Sequence, residues 1–311
     1  MDIKRLHAFA KIVDIGSITR ASSILHIAQP ALSQQVAYLE NHFGKPLLVR
    51  SKRGVVPTEA GKLLYRHCQS ILKQMDQAEL EISTSDESLS GFVSVGFAPL
   101  SLGSLVATQL VTAILEEHPG IVLHINEIVG GVISELIMAG KMDLALIYNP
   151  GGIPGVSFDP VQTEELYFVT TGPYHSDSGE ITLAEAAEAP LVLPSEIHTI
   201  RQVIDTAITR SRLKTRVIAQ TESISVLAGL VGDGLGSTIL PISAAQAIVR
   251  RVPETRFYRV HKPNMKVNMA ICVSDQLPLS EPAAAVRDRL AELAQDIATS
   301  QRKTVSGKPR S

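Results

Sequence analysis

Tryptophan is missing from this chain, and aromatic residues fill only 4% of its 311 positions. Packed cores must therefore rest on Leu, Ile, Val and Ala. Hydrophobic residues make up 45%, ample for two or three domains. Cysteine is nearly absent: Cys68 and Cys272 lie far apart, and neither has a second cysteine nearby. This argues against a disulfide framework or a zinc site, and it suits a reducing cytosol. No apolar run approaches the roughly 20 residues of a membrane span. The opening MDIKRLHAFAKIV mixes acids with bases and shows no signal-peptide cleavage pattern. A cytoplasmic protein without a membrane partner is expected.

Net charge is also small, at −2, but it is unevenly spread. Residues 1–62 hold nine bases and four acids, a net of +5. Residues 63–90 come to −3, residues 91–300 to −8, and the last eleven residues carry four bases and no acid. A basic head on an acidic body suits a polyanion binder whose body should not stick to the polyanion. Chance could produce the same imbalance, so charge alone decides nothing.

The informative stretch is 17–58. A first helix over 2–14 carries Leu6, Phe9, Ile12 and Val13 on one stripe, and Gly16 breaks it. Ser17 can cap a second helix, whose buried face is Ile18, Ala21, Ile24 and Leu25. Pro30 opens a third, where a missing N–H costs nothing. Leu32, Val36, Leu39 and Phe43 face its core. The opposite stripe is Pro30, Ser33, Gln34, Ala37 and Asn41, small and polar and free of acids. A helix lying in a groove about 12 Å wide needs such a face. After Gly44, Leu47–Arg50 and Val55–Val56 read as a strand pair with Ser51-Lys52-Arg53-Gly54 as a basic turn. This is a winged helix-turn-helix, so DNA reading is expected, with Lys52 and Arg53 on phosphates or in the minor groove.

A long helix follows from about 58 to 84, which Thr58 can cap. Leu64, Cys68, Ile71, Met75, Ala78 and Ile82 form a heptad seam along it. No nearby sequence covers the seam, so a partner helix from a second subunit is expected; packing on its own domain is the alternative. Cys68 on this seam reads as a small buried apolar residue rather than a redox group. Ser83–Ser90 is a polar hinge. From Gly91 strands alternate with helices, and Asp143–Tyr148 is apolar enough to be buried on both faces. The expected class is α/β overall: a winged helix-turn-helix over 1–58, a linker helix and hinge over 59–90, and a two-lobed α/β domain over 91–300. Lobe I takes about 91–160 and 266–300, lobe II about 161–265, and 301–311 is a disordered basic tail.

With these residues placed, the chain resembles LysR-type transcriptional regulators over essentially its whole length. The stretch FAKIVDIGSITRASSILHIAQPALSQQVAYLENHFGKPLLVRSKRGVVPTEAG carries the resemblance. Gly234-Leu235-Gly236-Ser237 with Leu240-Pro241 is similar to a weaker signature of the family's effector domain. VDIGS, LHIAQPALSQQVAYLE, RSKRGVVPTEAGK and GFVSVGFAP resemble the nitrogen assimilation control regulators within the family. The resemblance implies that the third helix enters the major groove, with Gln29, Pro30, Ser33 and Gln34 on bases or phosphates and Arg53 reaching the minor groove. Adding Ser17, Thr19, Arg50 and Lys52 completes the expected DNA-binding set. Many relatives carry a long basic residue where this chain has Gln34. Glutamine pairs bidentately with adenine and arginine with guanine, so an inherited base preference is not expected.

The resemblance also implies an effector domain like a small periplasmic binding protein. A small, often anionic ligand would sit between its lobes, at Leu100, Ser101, Gly130, Ser195, His198, Thr199 and Ser223. Helix N-termini bind anions, although each of these hydroxyls can equally be a plain cap. The nitrogen control regulators are thought to act mainly through their own abundance, so a small-molecule effector is only an option. Expected partners are an inverted-repeat promoter duplex, RNA polymerase and further copies of the chain, as a homodimer or homotetramer. No metal or cofactor is expected. Residues 91–300 show no activated nucleophile, metal-ligand spacing or acid/base pair, which argues against an enzyme. Gly232-x-Gly234-x-Gly236 lacks the context of a nucleotide loop and reads as a turn.

Overall fold

A computed structural model of the chain describes residues 1–51, 54–83, 89–148, 151–172, 174 and 178–306. The expected wing tip Lys52-Arg53, the middle of the hinge (84–88), residues 149–150 of the loop before 155 and the tail from 307 lie outside the described residues.

The N-terminal domain runs α1 (Ile3–Ile15), α2 (Ile18–Leu25), α3 (Gln29–Phe43), β1 (Leu48–Ser51) and β2 (Gly54–Pro57). Its helices stop where expected: Gly16 and Gly44 take left-handed caps, and each donates its N–H back to the helix it ends. Ser17 caps α2 by accepting from the Arg20 N–H at 3.3 Å. Leu6, Phe9, Ile12, Ala21, Leu32, Val36 and Leu39 close one small core. Each buried aliphatic side chain there is worth roughly 2 kcal/mol. Two expected core residues are not in it. Ile24 is 53% and Phe43 42% exposed. Both sit in the last turn of their helices, beyond the reach of the facing element, and Phe43 instead meets the edge of His42.

Helix α4 (Glu59–Ser83) is the long linker, with Thr58 capping it through the Gly61 N–H at 3.0 Å. The expected seam divides along its length. Cys68 is fully buried in the N-terminal core, and Leu64 and Ile71 pack against that core. Met75 is half-buried, while Ala78 and Ile82 are exposed. The first half of the seam therefore packs on its own domain, which corrects the expectation of a partner helix along its full length. A heptad period reports an apolar stripe and is silent on which chain covers it.

The larger region opens with β3 (Ser90–Phe97), α5 (Gly103–Glu117), β4 (Gly120–Glu127), α6 (Gly130–Met138) and β5 (Leu144–Tyr148). β3 pairs in parallel with both β4 and β5. Next comes β6 (Val156–Thr170), one strand of 15 residues. Its first part alternates between exposed and buried residues and has no apolar run to announce it. Lobe II adds β7 (Glu180–Thr182), α7 (Leu183–Glu188), β8 (Pro190–Leu193), α8 (Thr199–Arg210), β9 (Arg216–Gln220), α9 (Ile224–Gly232), β10 (Thr238–Pro241), α10 (Ile242–Arg251) and β11 (Arg256–His261). The glycine run 232–236 is the turn from α9 into β10. β12 (Lys266–Ser274) then returns to lobe I, followed by α11 (Glu281–Ser306). That last helix continues six residues into the expected disordered tail.

The strand order is β4-β3-β5-β12-β6-β11-β7, with β10 also on β6. β6 thus belongs to both lobes, and one apolar core extends through them. No helix among the described residues is long and apolar enough to cross a membrane.

Candidate nucleic-acid interface and interlobe contact

The outer stripe of α3 is open. Gln29, Pro30, Gln34, Ala37 and Asn41 are exposed, and Ser33 is half-buried. Gln29, not Pro30, is the first helical residue, and Ala28 before it offers no side-chain cap. The first N–H groups of α3 therefore remain available to an anion such as a phosphate. Glu40 is the only acid on this helix, and it faces away from the stripe. Its Oε1 accepts the Leu47 N–H at 2.9 Å and the Leu48 N–H at 3.3 Å, which fixes the start of the wing to the helix. The wing is held from its other side too: the Val55 N–H donates to the Gly16 carbonyl at 2.8 Å. Arg50 is exposed on β1. Thr19 is exposed on the first turn of α2, where its carbonyl accepts the Ser22 and Ser23 hydroxyls.

The other acids of this domain are engaged as well. Asp2 pairs with Arg5 at 2.9 Å, Glu59 with Lys62 at 2.7 Å, and Asp14 with Lys141 of lobe I at 2.7 Å. Among the described residues, only Arg5 and Lys62 of the head's bases enter a salt bridge. Positive charge is thus left for an outside partner. Arg5 also lies over the Tyr38 ring at 3.9 Å, which ties the start of α1 to α3.

In the larger region the structure brings together some of the expected effector residues. Leu100 takes a left-handed backbone (φ 55°) and is buried beside Ser101. The Ser101 hydroxyl donates to the Ala98 carbonyl at 2.6 Å and accepts the Gly103 N–H at 2.9 Å. Gly130 opens α6 near the same end of β3, since the Ile128 N–H bonds the Phe97 carbonyl at 3.1 Å. Across the lobes, His198 rather than Thr199 caps α8, its Nδ1 accepting the Ile200 N–H at 3.2 Å. The ring proton therefore sits on Nε2, which donates to the Pro99 carbonyl at 3.3 Å. Burial pushes the His198 pKa down, and the Pro99 bond and the charge of Glu222 oppose that. The Ser195 N–H already serves a carboxylate: it donates to Glu222 Oε1 at 3.1 Å. The Ser195 side chain first, and this amide after it, hold Glu222 below the usual carboxylate range. Ser223 is exposed and caps α9 through the Val226 N–H at 3.4 Å.

Two family models match the chain. The model of the bacterial regulatory helix-turn-helix protein, lysR family, covers residues 3–62, and that of the LysR substrate binding domain covers residues 55–295. The chain belongs to the LysR family of transcriptional regulators. It is 40% identical to the nitrogen assimilation regulatory protein nac of Escherichia coli K12, across 93% of this chain and 94% of that protein. The corresponding protein of Klebsiella aerogenes is 38% identical, across 94% and 95%. The solved structure of ArgP from Mycobacterium tuberculosis superposes with a TM-score of 0.69 at 22% identity, across 94% of this chain and 97% of that one.

In this LysR regulator several participants had no sequence signal of their own. Glu40 and Glu222 matter through backbone amides that only the fold brings near. Pro99 contributes a carbonyl, which any residue has. A third case is Glu164, buried where the lobes join. Its Oε2 accepts the Ser243 N–H at 3.1 Å and the Ser243 hydroxyl at 2.8 Å, and its Oε1 accepts the Gln162 amide at 3.2 Å. Burial nevertheless pushes its pKa up. An acid raised by folding adds stability below its unfolded value, and that contribution is lost as pH climbs through the native pKa. Glu164→Gln cannot titrate, and its NH2 group must meet the donors of Ser243 or Gln162. It is expected to melt below the wild type at pH 4, by a margin that shrinks by pH 8 as the wild type loses the contribution of its protonated acid. A difference independent of pH across a melting series would refute this.

Proposed function

We propose that this LysR-family chain binds an inverted repeat upstream of nitrogen assimilation genes and controls their transcription with RNA polymerase as its partner. The observation that carries the reading is the exposed, acid-free stripe of α3 beside a wing held in place by Glu40 and Gly16. The residues proposed to touch DNA are Ser17, Thr19, Gln29, Pro30, Ser33, Gln34, Arg50, Lys52 and Arg53. The nitrogen role is supported by the two nac relatives at 38% and 40% identity. We assign DNA reading to 1–58, linkage to 59–90 and regulation to 91–300, in the cytoplasm and without a catalytic role. The bare end of α4 at Ala78 and Ile82 supports a dimer or tetramer, whose two recognition helices would enter successive major grooves.

Gel shifts at physiological salt, using promoter DNA and a scrambled duplex, test this. Equal binding to both would end the sequence-specific reading. Arg50→Ala is expected to lower the salt slope of binding by about one unit, because one phosphate contact is lost. An unchanged slope would remove Arg50 from the interface.

A further inference from the structure

The two apolar cores of this protein barely meet. Among the described residues, Ala139 is the only hydrophobic side chain from lobe I that packs on the N-terminal core. What joins the DNA-reading head to the regulatory body is polar. The Asp14 carboxylate, at the end of α1, accepts from the Tyr65 hydroxyl of α4 and pairs with Lys141 of lobe I at 2.7 Å. The Gln69 amide donates to the same Tyr65 oxygen at 2.7 Å, and the Lys141 ammonium lies 5.4 Å from the Tyr65 ring centre. Burial, and then the bond to Asp14, raise the Tyr65 pKa to about 12. Burial alone would lower the Lys141 pKa, but its bonds to Asp14 and Tyr65 outweigh it and hold the ammonium above the ordinary lysine value.

A second set of ties lies further along α4. Lys73 pairs with Asp143, whose other oxygen accepts the Ser94 N–H of β3 at 2.8 Å. Arg66 reaches the Gln276 side chain after β12. Between the two sets the α6–β5 turn presses on the linker. Gly140 has φ +72°, and a Cβ there would lie 3.3 Å from the Gln69 Cβ and 3.2 Å from Leu277.

We propose that Asp14, Tyr65 and Lys141 are positioning residues: they fix the angle of the DNA-reading head on lobe I and so set the half-site spacing that the assembled regulator accepts. Polar ties on a partly wetted seam are individually weak, so the angle can be biased and released without unfolding either body. Lys141 follows α6 and precedes β5, so a change within lobe I reaches the head through it. The inference rests on the proposed reading of an inverted repeat, whose half-site separation must match the span between two heads.

The test uses the full chain and promoter duplexes whose half-sites keep their native spacing or are moved apart by half a helical turn, about 5 base pairs. Wild-type protein should bind the native spacing at least roughly tenfold better, because both heads cannot engage the displaced site. Lys141→Glu should lose most of that preference. Adding Asp14→Lys to it restores a pair of opposite charges and should recover the preference, a coupling that independent sites would not show. If Lys141→Glu does not fold, Lys141→Gln removes the charge without reversing it and should lose the preference too. Full spacing preference in the single variant, or no recovery in the double variant, overturns the clasp. Wild-type protein that binds neither duplex overturns the regulatory reading instead.

Discussion

Replacing Ser33 and Gln34 together with alanine is expected to weaken binding to the cognate promoter about 100-fold or more, at 1–3 kcal/mol per base contact and about 1.4 kcal/mol per tenfold. The melting temperature should not move. Both residues lie on the outer stripe of α3, and the core on its other side is made by Leu32, Val36 and Leu39. Affinity for a scrambled duplex should change little, since phosphate contacts sustain it. Anisotropy titrations with the two duplexes give the ratio directly. If it is the same in the double variant, α3 is not the reader.

Gly61→Ala is expected to cost the N-terminal domain about 3 kcal/mol or more, at the upper end for an overpacked site. Gly61 lies in the first turn of α4, where the helix crosses the start of the wing. A Cβ there would stand 2.0 Å from the Leu47 carbonyl oxygen and 3.1 Å from the Pro57 Cβ. The Leu47 oxygen cannot yield easily, because it accepts the Thr58 N–H at 2.9 Å. The helix would have to lift, taking Tyr65 and Cys68 out of the core they help to close. A loss of this size should lower the melting transition of so small a domain by roughly 10 °C or more. An unaltered melt would show that α4 can move off the wing freely.

The head was the most legible part of the sequence. Gly16, Ser17, Thr58 and Gly44 are local signals, and each does in the structure what its chemistry suggests. The stripe Leu32, Val36, Leu39 is a clean period and is buried. The same period overran at Ile24 and Phe43, where the helix ends before the core does. β5 was readable because all five of its residues are apolar and buried. The first half of β6 was not, because its exposed positions interrupt any run. Lobe II hid β7, α7, α10 and β11 in short segments, although the Thr182–Glu185 capping box before α7 could have been read from its spacing. The partnership of Asp14 with Lys141 spans two domains, and nothing local announces it.

Strand β6 has a mechanical consequence. At about 3.3 Å per residue its 15 residues make a beam of roughly 50 Å, hydrogen-bonded to β12 along one part and to β10 and β11 along the other. The ladder is not uniform along that length: its register shifts between Met269 and Ala270, opposite Gln162 and Pro160. An irregularity of this kind lets a strand bend and twist locally, so the two lobes share one strand that has a built-in point of give between them.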